Sequence, residues 1–205
     1  MLEVLRNIVL EVNTAESLDE ILNIIVTRVR AAMGTEVCSV YIRDRREPRY
    51  VFRATEGLNR DQVGKASLGL GEGLVGLVAE REEPVNLEDA ALHPSFQFFP
   101  DIGEEPFSAF LGVPIIHQRD VLGVLVVQQA ERRRFDDSDE AFLVTMSAQL
   151  AGVIAHARVT GEVHDASGAE SDVYWARVSG VPGAPGIGIG RAVVLSPAAD
   201  LYAVP

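Results

Sequence analysis

Between residues 121 and 129 the chain is apolar on both sides of an extended strand. Leu122, Val124 and Val126 fall on one face, and Val121, Leu125 and Val127 on the other, because successive side chains of a strand point to opposite faces. A strand of this kind needs cover on both sides. It is therefore predicted to lie at the centre of a sheet with a layer of structure above and below. The preceding segment, Phe107 to Ile116, reads as its hairpin partner across the polar turn His117-Gln118-Arg119-Asp120.

The remaining elements fit around that pair. Ser17-Leu18-Asp19-Glu20 has the spacing of a capping box. It opens a helix whose apolar face is Leu18, Ile21, Leu22, Ile25, Val29 and Met33, and Gly34 is suited to end it in the left-handed conformation. Glu36 to Arg43 and Tyr50 to Glu56 read as a second antiparallel hairpin around the polar turn Asp44 to Arg49. Gly69 to Gly73 is a loop, Leu74 to Glu80 a short helix, and Pro84 to Leu87 a short strand. Residues 88–106 lack periodicity and contain Pro94, Pro100, Gly103 and Pro106. Such a stretch inside a compact domain is often a binding loop. A long helix follows Phe135, capped by Asp136 or Asp137. The fold class predicted is α/β (α+β): three layers, with an antiparallel sheet between helices, over residues 1–160.

Two stripes have heptad spacing: Leu2-Leu5-Val9-Val12, and Leu143-Met146-Leu150-Val153-Ala157. Core packing alone accounts for the second. The two together also suit a helical bundle between subunits, so a homodimer through the terminal helices is expected. Residues 161–175 have the small, polar composition of a linker. Residues 176–205 carry Gly, Pro and β-branched residues in a pattern of short strands, too few for an independent core. They are expected to be the start of a second domain that is cut off.

Charge and composition narrow the function. The formal charge is −12, and the basic residues are nearly all arginine, which argues against a nucleic-acid partner. The run Arg132-Arg133-Arg134 reads as a solvated segment ahead of the long helix, with an acidic docking partner as the alternative. Cys38 is the single cysteine, placed in an apolar strand where it suits a small core hydrophobe better than a redox centre. No apolar run approaches the ~18 residues of a membrane span, and the N-terminus has charge inside its apolar stretch, unlike a signal peptide. A cytoplasmic chain with no membrane partner is expected.

Among the motifs, Gly71-Glu72-Gly73-Leu74-Val75-Gly76 fits a dinucleotide fingerprint, but no long βαβ unit surrounds it. It reads as a loop-to-helix turn. Gly186-Ile187-Gly188-Ile189-Gly190 reads as entry into a strand, and Asp136-Asp137 with Asp139 as a helix start rather than a cation site. Phe96, Phe98, Phe99, Phe107 and Phe110 gather in the irregular stretch and the strand after it. They form either core beneath a long loop or the lid of a ligand pocket. In the second case Ser108, His93 and Gln97 supply polar groups, and Tyr41 and Arg43 complete the site from across the sheet. An arginine there would hold a carboxylate. No carboxylate pair, catalytic triad or metal-ligand spacing is present, so no catalytic residue, metal or cofactor is assigned to the chain.

The order of these elements, with the Gly71–Gly76 turn and Ser108-Ala109-Phe110-Leu111-Gly112-Val113-Pro114-Ile115, resembles a GAF domain across residues 1–160. The segment 178–192, with Ala184-Pro185-Gly186-Ile187 and Gly190-Arg191-Ala192 at its core, resembles the opening of phosphoenolpyruvate-utilising enzymes of the enzyme I type. Together they resemble the nitrogen-related phosphoenolpyruvate–protein phosphotransferases. That resemblance implies an enzyme that takes phosphate from phosphoenolpyruvate onto a histidine and passes it to a small phosphocarrier protein. It also implies Mg2+ in a C-terminal barrel and control through the GAF domain by glutamine or 2-oxoglutarate. His93, His117, His156 and His164 do not match the family's phosphorylated histidine, so this chain is expected to be inactive alone. A GAF module serving only for dimerisation is the alternative. A free-standing sulfoxide reductase is disfavoured, because that chemistry needs reactive thiols.

Overall fold

The computed structural model describes residues 11, 15, 17–99, 101–104 and 107–160. The stripe Leu2-Leu5-Val9-Val12, the linker 161–175 and the segment 176–205 lie outside the described residues. Helix α1 (Leu18–Met33) starts at Ser17, whose Oγ accepts the Glu20 N–H at 3.2 Å, and ends at Gly34, φ +64°. Its inner face is Leu18, Leu22, Ile25, Val26 and Val29. Ile21 and Met33 sit at the margin of that stripe, only partly buried.

Strands β1 (Val37–Arg43), β2 (Arg49–Glu56), β3 (Ser67–Gly69), β4 (Val85–Leu87), β5 (Ala109–His117) and β6 (Asp120–Gln129) form one sheet in the order β3-β2-β1-β6-β5-β4. Every neighbouring pair is antiparallel. β6 is central, and Val121 to Gln128 are all buried. β3 is absent from the sequence expectation, since its 3 residues are too few to show an alternation. β5 begins two residues later than expected, at Ala109. The β5–β6 turn consists of Gln118 and Arg119, both with positive φ, 50° and 75°. That geometry matches the strand twist in two-residue hairpins.

Two bulges decide which side chains face which layer. In β2, Val40 pairs with Ala54 but Tyr41 with Phe52, so Arg53 is the extra residue. In β6, Ile115 pairs with Gly123 but Ile116 with Val121, so Leu122 is extra. A bulge shifts the alternation by one. Leu122 therefore joins Leu125 and Val127 in one core, and Val121 joins Val124 and Val126 in the other. This corrects the simple alternation read from the sequence, which placed Leu122 with Val124 and Val121 with Leu125. At the bulge a Cβ on Gly123 would lie 2.3 Å from the Tyr41 carbonyl oxygen.

Helix α2 (Gly73–Arg81) covers one face of the sheet. Helix α3 (Asp137–Thr160) joins α1 on the other. α3 is capped reciprocally: Asp136 Oδ1 accepts the Asp139 N–H at 2.8 Å, and Asp139 Oδ2 accepts the Asp136 N–H at 3.4 Å. Asn86 in β4 anchors the segment entering it, with Nδ2 donating to the Phe135 carbonyl at 2.9 Å and Oδ1 accepting the Phe135 N–H at 3.2 Å. Arg132 pairs with Asp89 at 2.8 Å, and the Arg133 guanidinium lies 4.6 Å from the Phe135 ring centre. The basic run thus fastens this segment to the domain instead of being wholly solvated.

The stripe Leu143-Met146-Leu150-Val153-Ala157 faces the sheet and α1. Leu143, Met146, Leu150 and Ala157 are buried within their own domain, so this stripe is core and is not available to a partner subunit. Residues 141–157 contain no charge. An 18-residue window within the span 137–159 accordingly reaches a mean hydropathy of 1.3, enough by length and composition to cross a membrane, where the sequence reading saw no such run. Its apolar inner face is accounted for by packing against the sheet.

Gly123→Ala should lower stability by about 1–3 kcal/mol, the usual penalty of overpacking, because the backbone of β1 has no room to retreat. A urea midpoint equal to the wild type's would contradict the bulge. Cys38 is fully buried between the sheet and the helices, and burial pushes its thiol pKa up. Iodoacetamide at pH 8 should leave Cys38 unmodified in the native chain and alkylate it in urea, since only the thiolate reacts. Native-state labelling at the rate of a free thiol would contradict that placement.

Candidate functional site

The two faces of the sheet are covered by different kinds of structure. Opposite α1 and α3, the cover is α2 together with the long segment between β4 and β5. A helix and a loop of changing direction cannot fill space as two packed helices do, and a cavity remains. Its floor is Tyr41 of β1, Phe110 of β5 and Gln128 of β6. One wall is Leu68 of β3 with Leu74 and Val75 of α2. The roof is Phe96, Gln97, Phe99, Ile102 and Glu104 from the loop. Its volume is about 20 Å³, room for about one water.

The floor is polar in two places. Gln128 is 5% exposed, and its Oε1 has no hydrogen-bond partner. A buried amide oxygen left in that state is costly. Tyr41 is fully buried, its ring 5.0 Å from that of Phe52. Burial first, and the charge of Glu104 second, hold its phenol pKa well above the ordinary value, so it stays protonated as a hydroxyl donor. Among the described lining residues Glu104 carries the only formal charge.

The roof is pinned at several points. The Ala90 N–H donates to the Ser108 carbonyl at 2.7 Å, and the Ser108 N–H to the Gln129 carbonyl at 3.0 Å. His93 Nδ1 accepts the Ser95 N–H at 3.1 Å, while the His93 carbonyl accepts the Phe96 N–H at 2.8 Å. Asn59 holds the far side, its N–H donating to the Ile102 carbonyl at 3.0 Å and its Nδ2 to the Asp101 carbonyl at 2.9 Å.

Of the residues selected from the sequence, Tyr41, Phe96, Gln97, Phe99 and Phe110 come together around this cavity. Arg43, His93, Phe107 and Ser108 do not line it. Arg43 is two residues beyond Tyr41, roughly 6.5 Å farther along the strand, and opens onto a different cleft. His93 shapes the turn that lowers Phe96 into the cavity. Phe107 packs at the edge of the same core, and Ser108 acts through its backbone. Phe98 points outward, 50% exposed. The residues missed were Leu68, Leu74, Val75, Ile102, Glu104 and Gln128. Gln128 had a visible signal, a polar residue closing an otherwise apolar strand.

The Gly71–Gly76 motif forms a loop-to-helix turn. The Glu72 carboxylate accepts the Gly69 N–H at 2.7 Å, and the Gly71 N–H donates to the Gly76 carbonyl at 3.0 Å. A Cβ on Gly76 would lie 2.3 Å from the Gly69 carbonyl oxygen. A carboxylate of the chain itself thus takes up a loop amide of the kind that a phosphate-binding loop would present to its phosphate.

The GAF domain family matches residues 17–154. A Salmonella typhimurium protein described as a phosphoenolpyruvate-dependent phosphotransferase system is 46% identical over 189 residues, 92% of this chain. The chain spans 24% of that relative's length. The GAF domain of a phosphoenolpyruvate–protein phosphotransferase from Coxiella burnetii superposes with a TM-score of 0.76 at 49% identity, covering 79% of this chain and 96% of that one. The corresponding Acinetobacter domain gives 0.72 at 48% identity, covering 79% and 97%. With the six-stranded antiparallel sheet between its helices, this chain belongs to the GAF domain family, and its relatives there are the GAF domains of phosphoenolpyruvate–protein phosphotransferases.

Proposed function

We propose that this domain binds a small molecule and thereby regulates a phosphoenolpyruvate–protein phosphotransferase, acting in the cytoplasm in nitrogen signalling. The observation that carries the reading is the buried Gln128 amide oxygen without a partner, set beside the Tyr41 hydroxyl in a cavity roofed by a loop. A ligand donor would satisfy that oxygen. The relatives' names support a phosphoenolpyruvate-dependent phosphotransferase as the parent, and the proposed route takes phosphate onto a histidine outside this domain and passes it to a small phosphocarrier protein. Among the described residues no three His, Cys, Asp or Glu side chains gather to hold a metal ion. The Mg2+ of that chemistry is part of the proposal for the parent's own barrel, outside this domain.

The chemistry of the cavity favours glutamine over 2-oxoglutarate. Glu104 is its one charged lining group, with no arginine or lysine among the described lining residues. A dianion would be buried against a like charge, which is costly. An amide and an ammonium would instead meet Gln128 and Glu104. Ligand pockets measure about 300–1,000 Å³, so binding requires the 93–104 roof to lift from the sheet.

The second reading, a homodimer through the helices, is favoured by the outer face of α3. Ala141, Val144, Ala148 and Gly152 are exposed there in a helix uncharged from 141 to 157. The buried residues of the same helix cannot test it, because Leu150→Glu would unfold the core.

Isothermal titration should show saturable heat with glutamine and little with 2-oxoglutarate. Gln128→Leu should weaken glutamine about tenfold while leaving the urea midpoint equal or higher, since an unpaired buried acceptor is removed. Silence with both compounds, or wild-type affinity in Gln128→Leu, would remove the sensing reading at this cavity. For assembly, Val144→Glu with Ala148→Glu should convert a dimer to a folded monomer in sedimentation equilibrium. A dimer that persists in that variant excludes the outer face of α3 as its seam.

A further inference from the structure

A second cleft lies at the opposite end of the sheet from the long roof loop, where the β1–β2 turn, the start of β6 and the last turn of α3 meet. It measures about 510 Å³ and is lined by Arg43, Asp44, Arg45, Arg46, Glu47, Pro48, Asp120 and Arg158. Four guanidinium groups share one opening in a chain of formal charge −12.

Three of these arginines differ from several others in the domain. Arg28, Arg49, Arg53, Arg132 and Arg133 each sit within ion-pair distance of a carboxylate. Among the described residues Arg43, Arg45 and Arg158 form no such pair. Two of them are held by backbone carbonyls instead. Arg158 Nη2 donates to the Arg43 carbonyl at 2.7 Å and to the Leu122 carbonyl at 3.4 Å, and Arg45 Nη1 donates to the Arg158 carbonyl at 3.2 Å. The forks are therefore oriented before any ligand arrives, with most of their five N–H groups unused. Arg158 Nε is buried with no partner.

The acidic residues of the cleft do not neutralise it. Asp44 Oδ1 is engaged by the backbone N–H groups of Arg46 and Glu47 at 2.7 and 3.1 Å, and Glu47 and Asp120 are exposed. Burial first, then the charges of Arg45 and Arg43, push the Arg158 pKa down, against a smaller opposing effect of Asp120 and Asp44. Positive charge is in excess at this point, and a bound anion would relieve it.

We propose that this cleft is an oxyanion site, separate from the cavity under the roof loop, that takes the phosphate or carboxylate group of a small molecule between Arg43, Arg45 and Arg158. Arginine forks match both groups in geometry and bind them by charge-assisted hydrogen bonds. The ligand would complete Arg158 Nε and bridge the hairpin turn to the helix end. The site does not depend on the ligand reading of the other cavity.

The test is a titration of the isotope-labelled chain followed by nuclear magnetic resonance. Inorganic phosphate and malonate are the probes, and sodium chloride at matched ionic strength controls for screening. Saturating shifts are expected at the amides of residues 43–47, 120 and 158 and at the Arg158 Nε–H, with none from chloride. Arg45→Gln and Arg158→Gln should each weaken binding about tenfold or more, the weight of one charged hydrogen bond. Arg45 is exposed in a turn, so its variant gives a folded measurement even if loss of Arg158 loosens the helix. Wild-type affinity in Arg45→Gln would overturn the site. A Glu162→Gln, Asp165→Asn variant separates the two sources of an oxyanion. A response that appears only in that variant would retain the oxyanion chemistry and assign its source to the chain's own carboxylates. No saturating response in either form would overturn the proposal.

Discussion

With β6 buried along nearly its whole length, the sheet has no face to give to water, and the rest of the domain is arranged by that condition. Two covers are required. α1 and α3 supply the first, with regular apolar stripes set against Leu111, Val113, Leu125 and Val127. The second is α2 and the long segment before β5. Regular elements pack to near-crystalline density, while a segment interrupted by Pro94 and Gly103 must follow its own hydrogen bonds. The cavity lies under the irregular cover for this reason, and the polar residues that make it a candidate site, Gln128 and Glu104, occur at that place. The neighbour of Gln128 on the other face, Val127, is apolar.

Much of this was legible in the sequence because local chemistry and tertiary fold agree. Ser17, Gly34 and Asp136 carry cap signals whose hydrogen bonds form as expected. The burial of β6 on both faces follows from its composition. What remained hidden depends on contacts distant in sequence. β3 exists only because β2 offers an edge to pair with. The bulges at Arg53 and Leu122 are set by strand register, and no alternation pattern announces an extra residue. Asn86 is an ordinary polar residue until Phe135 is brought beside it. The same limit applies to the candidate site. Its aromatic members were visible as a cluster, but Leu68, Leu74 and Val75 arrive from other elements. Arg43 shares a face with Tyr41 and is still too far along the strand to join it.

The arginines show how net charge conceals local charge. A total of −12 excludes a broad basic surface, yet says nothing about which acids stand near which bases. Arg53 reaches Asp19 at 2.6 Å and Arg49 reaches Glu72 at 3.6 Å, ties between the sheet and the elements beside it. Exposed pairs of this kind contribute only about 0–1 kcal/mol each, so they orient the layers more than they stabilise them. Arg158 works differently. Its bonds to the Arg43 and Leu122 carbonyls fix the end of α3 to the sheet with no carboxylate in ion-pair contact, which leaves its charge only partly compensated.

The strands themselves connect the cavity with α3. Tyr41 and Gln128 face the cavity, while Val40, Ile42 and Val127, their immediate neighbours on the same strands, face the helical layer. Alternation guarantees this coupling: a strand cannot shift one face without shifting the other. A ligand that lifted the roof and drew on Gln128 would therefore act on β6, whose other face packs in the same core as α3. Displacing a well-packed core is resisted, so such a signal is transmitted as a choice between discrete packings, and a ligand shifts that choice only by its difference in affinity for the two. Gly123 sits at the bulge beside Tyr41 with no room for a side chain. A Cβ there would lie 2.3 Å from the Tyr41 carbonyl oxygen, so β1 and β6 approach each other closely at that point.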